Sequence, residues 1–147
     1  MNEEDYGKII EAHAHVGTWC ADNADFTADA LNAAMAEPFT VSINGEEEEN
    51  EVVAVMVSNM SGIDLKPDGS PKITEDEANL EMLDIAAENP KFKTLIVGQP
   101  GYGDAENLAN LIEERGDEIY GIKLHPNTLH LNANDPQYEP YMEVAQE

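Results

Sequence analysis

The run Val52-Val53-Ala54-Val55-Met56-Val57 constrains the fold more than any other feature of this chain. An unbroken, largely β-branched stretch reads as a strand buried on both faces, and such strands belong to parallel sheets covered by helices. Three further strand-like runs keep it company: residues 8–16 closed by Gly17, residues 94–97, and residues 119–125 ended by Pro126.

Between these runs the pattern turns helical. Residues 21–37 are rich in Ala and Leu, with Leu31 and Met35 four apart and Pro38 as the stop. Thr74 and Glu77 have the spacing of a capping box, and the helix they open carries Leu80, Leu83 and Ala87 on one face. Asp104 caps a helix to about Arg115 with Leu108, Leu111 and Ile112 apolar, and a last helix starts near Pro136. The charge run 45–51 reads as an exposed turn, and residues 62–71 and 98–103 as loops.

The expected class is therefore α/β, with about four βα units and parallel strands. Four units make either a small open sandwich or the N-terminal half of a (β/α)8 TIM barrel. The chain stops inside a helix-like pattern, which favours the half-barrel: one incomplete domain over residues 1–147, cut after strand four.

Charge excludes some partners. Thirty-one Asp and Glu against seven Lys and Arg give a formal charge of -24. Such a surface repels nucleic acid and anionic lipid. It suits a salt-rich cytoplasm, and equally a solvated surface that keeps the chain soluble. Cys20 is the sole cysteine, so there is no intrachain disulfide and no Cys-based zinc site. No apolar run is long enough to span a bilayer and the start is acidic, so cytoplasmic residence is the default.

His13 and His15 are the most informative pair. Two apart in a strand, their imidazoles project from one face. At the C-terminal end of a barrel strand that face opens on the mouth, where two neutral imidazoles can ligate zinc, iron or manganese. Glu11 lies on the same face by parity, but deeper. Lys123 and His125 also share a face by parity. The expected role of Lys123 is to neutralise a substrate carboxylate, while His125 either contacts substrate or bonds locally. Trp19 either walls a pocket or packs under the first helix. His130 reads as an exposed loop residue.

Residues 10–17, Ile-Glu-Ala-His-Ala-His-Val-Gly, resemble the first strand of the amidohydrolase superfamily, where a His-x-His supplies two metal ligands. Gly121-Ile122-Lys123-Leu124-His125-Pro126 is similar to the fourth-strand signature of the amidohydrolase-related branch, which includes enzymes of the aminocarboxymuconate-semialdehyde decarboxylase type. Asn134-Asp135-Pro136, with Tyr138, Pro140 and Tyr141, resembles the stretch that follows in that branch. Glu11 departs from the Asp that relatives often carry.

The resemblance implies one divalent metal, usually zinc, held by His13 and His15 and by residues of later strands beyond position 147. It implies hydrolysis of C–O or C–N bonds, or decarboxylation, of a small molecule. By itself the fragment is expected to be a weak metal binder, a poor catalyst and prone to self-association through open sheet edges. The alternative is a complete, non-catalytic α/β binding module.

Overall fold

The computed structural model describes residues 7–19 and 24–146. Four strands run parallel in chain order: β1 (Lys8–Trp19), β4 (Glu46–Asn59), β5 (Phe92–Val97) and β6 (Ile119–Lys123). Two short strands join them antiparallel: β2 (Ala24–Phe26) on the end of β1, and β3 (Phe39–Ile43) on the first half of β4. The helices are α1 (Ala28–Ala34), α2 (Glu75–Ala87), α3 (Ala105–Arg115) and α4 (Glu139–Val144). The chain is thus α/β, with a mostly parallel sheet and four helices.

One face of this sheet carries the helices. Val16, Val55, Val57 and Phe92 pack with Met35 and Met82, and Leu31 and Ile85 join from α1 and α2. Further along the sheet, Ile96 and Ile122 pack with Leu108 of α3 and Tyr141 of α4. Strand alternation sends the intervening residues Ala54, Met56 and Ser58 to the opposite face. There they lie beside Ile10 and His15, their neighbours in register.

The capping box of Thr74 and Glu77 is present, with Glu77 Oε2 accepting the Thr74 N–H at 2.9 Å. Asp104 caps α3 through the Glu106 N–H. Other expectations need correction. The helix expected over 21–37 is shorter: β2 precedes it and it begins at Ala28, after the Thr27 cap. Residues 20–23, including Cys20, lie outside the described residues. On α2 the buried apolar residues are Ala78, Met82 and Leu83, whereas Leu80 is 48 % exposed and Ala87 is exposed. The last strand stops at Lys123, two residues short of His125.

The acidic run is strand, not turn. Glu46 to Asn50 pair with Ile43 to Phe39, and the turn itself is Asn44-Gly45, both with positive φ (54° and 88°). That pair of left-handed residues matches the tight hairpin turn whose twist fits the flanking strands. The glutamates remain solvated on a two-stranded ribbon that projects beyond the sheet's helix cover.

Candidate metal and anion site

Side chains from β1, β4, β6 and the loop after β6 gather near the C-terminal ends of the parallel strands. In open and closed α/β sheets alike, this is the end where ligands bind. His13 Nε2 stands 2.9 Å from His15 Nε2, the rings nearly perpendicular at 88°. Lys123 Nζ reaches His13 Nε2 at 3.2 Å. Strands spaced about 4.8 Å apart would put β1 and β6 about 14 Å apart on a flat sheet. Two strands lie between them, so the contact is bridged by the length of the two side chains.

Local structure aims these groups. Between Glu11 and Ala14 the register against β4 shifts by one residue, a bulge of the kind that re-aims side chains near sites. The His13 N–H turns to Glu11 Oε1 at 3.0 Å. Glu11 itself pairs in register with Val55, a core residue under the helices. The bulge thus breaks the simple parity that placed Glu11 beneath the histidines.

Gly17 closes the segment with φ 94°, and a Cβ there would collide with Asn59 and Ser61. This close approach lets the Thr18 N–H reach Ser61 Oγ at 2.9 Å. The end of β1 is thereby pinned to the end of β4.

The electrostatics favour neutral rings. Desolvation, followed by the neighbouring Lys123, His13 and His125, lowers the His15 pKa to about 4. Burial likewise lowers His125, with Lys123 and His13 adding to the effect, and burial lowers Lys123. Cationic groups crowded on a partly dry surface suppress one another's charge. Neutral imidazoles keep the lone pairs that a metal needs.

The donor set can be tested against a metal's demands. His13 and His15 are the residues that would hold a metal, and here their Nε2 atoms stand at the 2.9 Å separation of a hydrogen-bonded pair. Ser58 Oγ, at 2.8 Å from His15 Nδ1, supplies the outer partner that metal-binding imidazoles use. Among the described residues, however, no group of three or more His, Cys, Asp and Glu is arranged to hold a metal ion. His13 and His15 make up two positions and no more.

His125 takes a different part. Its Nδ1 accepts the Thr128 N–H at 3.3 Å and lies 2.7 Å from Thr128 Oγ1. In the neutral ring the proton then resides on Nε2, a hydrogen-bond donor. Lys123 reaches His13 from β6, whereas His125 stands near the pair from the loop past the strand's end, where strand parity no longer applies. Trp19 ends β1 opposite Ala24, but its side chain lies outside the described ones. His130 is exposed in a left-handed turn (φ 54°), away from this group in the chain's loop.

Sequence reasoning missed Ser58 and a buried polar frame beside the site. Asn79 of α2 accepts the Val97 N–H at 2.7 Å and donates to the Val97 carbonyl at 3.0 Å. Glu75 accepts from the Gln99 N–H at 2.5 Å, the Tyr141 hydroxyl at 2.8 Å and the Asp104 N–H at 3.2 Å. Gln99 in turn donates to the Gly62 and Ile73 carbonyls. These bonds fasten the loops that follow β4 and β5. Glu75 and Asn79 lie on a helix and Gln99 in a loop, where polar residues are ordinary, so nothing in the sequence sets these three apart.

No known protein family, curated protein or solved structure matches the chain. No helix among the described residues is long and apolar enough to cross a membrane.

Proposed function

We propose that this chain is the N-terminal portion of a metal-dependent enzyme of the amidohydrolase type, acting on a small carboxylate-bearing molecule by hydrolysis or decarboxylation. The observation that carries this reading is the convergence of His13 Nε2 and His15 Nε2, 2.9 Å apart, with Lys123 Nζ 3.2 Å from His13. Four parallel strands in chain order, with helices between them, are compatible with half of an eight-stranded barrel. The motifs of residues 10–17 and 121–126 that resemble the amidohydrolase-related branch are the ones that meet at this point.

His13 and His15 would hold a divalent cation, zinc first, with manganese or iron as alternatives. The cation supplies Lewis acidity and a water activated at neutral pH. Lys123, set beside the pair, would neutralise a substrate carboxylate, and His125 would contact the substrate. With two ligands the chain alone binds metal weakly, and the remaining ligands come from further polypeptide.

Cobalt(II) titration of the purified chain, followed by its visible absorption, tests this. Binding at a single site that His13→Ala and His15→Ala each abolish is the expected result. Undiminished binding in both variants would exclude the pair as ligands.

One observation favours a non-catalytic α/β binding module instead: the absence, among the described residues, of a third ligand. A cooperative melt indifferent to zinc, with no zinc affinity in the wild-type chain, would select that reading.

A further inference from the structure

Ser58 ends the helix-free row of β4 and is fully buried. In register it sits opposite His15 on the neighbouring parallel strand, so backbone pairing alone fixes the two side chains side by side. Its Oγ lies 2.8 Å from His15 Nδ1, and the other ring nitrogen of His15 faces His13 at 2.9 Å. An imidazole held at both nitrogens has its tautomer set by whichever partner takes its single proton.

We infer that Ser58 is the positioning residue for His15: its oxygen accepts a hydrogen bond from Nδ1–H, and the Nε2 lone pair is left facing His13. For metal ligation, which this inference borrows from the function proposed above, that tautomer is obligatory, because a neutral ring can bind through Nε2 only with its proton on Nδ1. Lys123, His13 and His125 are the groups that face the His15 ring.

The first arm of the test needs no metal. Long-range 1H–15N correlation of the metal-free, 15N-labelled chain at neutral pH reads which nitrogen of His15 is protonated. The wild type should show Nδ1–H, Ser58→Ala should move the proton to Nε2, and Ser58→Thr should restore Nδ1–H. A wild-type ring protonated at Nε2 overturns the inference whatever the variants do, so it stands or falls even if Ser58→Ala does not fold.

The second arm is cobalt(II) affinity. Loss of such an outer partner should weaken binding about 10–100-fold in Ser58→Ala and only slightly in Ser58→Thr. Equal affinity in wild type and Ser58→Ala would overturn the claim that Ser58 serves the ligand. A wild type that shows the Nδ1–H tautomer but binds no cobalt would instead remove the metal reading and leave the Ser58 orientation intact.

Discussion

Lys123 Nζ on β6 and His13 Nε2 on β1 are 3.2 Å apart although two strands separate them in the sheet. The relationship joins the two motifs singled out in the sequence, residues 10–17 and 121–126, into one electrostatic unit. Removing the ammonium should therefore be felt on the other side of the helix-free face.

Lys123→Met should raise the pKa of His15 from about 4 toward the ordinary imidazole value. The rise should be partial, because desolvation is the largest cause of the shift and remains in the variant. A pH titration of the imidazole resonances by NMR reads this directly. An unmoved His15 titration would show that the Lys123 charge does not reach the pair.

The same shift has a consequence for stability. His15 resists protonation in the folded chain, while in the unfolded chain it titrates near 6.5. Between about pH 6.5 and about 4 the unfolded state binds more protons, so stability falls as pH falls through that window. The ring is only half buried, so solvent screening reduces the effect to about 1 kcal/mol. Urea unfolding at pH 7 and pH 5 should show that loss in the wild type and a smaller loss in His15→Gln. Equal losses in the two proteins would assign the acid sensitivity to other groups.

Glu75 is a structural clip. Burial raises its pKa, opposed by hydrogen bonds from the Gln99 N–H, Tyr141 and the Asp104 N–H. Glu75→Ala leaves those donors without their acceptor, so a loss of about 2–4 kcal/mol is expected. Tyr141→Phe should cost about 1–2 kcal/mol and be nearly silent once Glu75 is gone. Additive losses in the double variant would mean that the 2.8 Å contact is not energetically coupled. Gly103→Ala supplies an independent check, since the added Cβ would meet both carboxylate oxygens of Glu75.

How much of this was legible in the sequence depended on periodicity. Val52 to Val57 and Thr94 to Val97 announced strands as unbroken apolar runs, although Val52 to Ala54, Met56 and Leu95 are only half-buried, and Thr74 with Glu77 announced a helix start through its own side-chain bonds. The β3–β4 hairpin was hidden because its solvated ribbon tolerates glutamates, although Asn44-Gly45 carried the turn signal. His13, His15 and Lys123 came together as their strand parity implied, whereas His125 reaches the group from the loop past the end of β6. Ser58, by contrast, gains its place from a register between β1 and β4 that no local pattern encodes. Glu11 was misplaced for a related reason, since a bulge is a property of the pair of strands.

The final prediction concerns the sheet's edge. Among the described residues β6 has a strand partner on one side only, which leaves a row of backbone donors and acceptors without a strand to pair with, and Tyr120 on it is 53 % exposed. Against association stands the formal charge of -24, which repels a second copy until counter-ions screen it. The two effects predict a salt-dependent equilibrium: mostly monomer at low ionic strength and increasing self-association at high ionic strength. Sedimentation equilibrium across that range measures it, and Ile122→Pro, which removes a β6 backbone donor, should shift the balance back toward monomer. A compact monomer at every salt concentration would show that the open edge of β6 is protected within the chain itself.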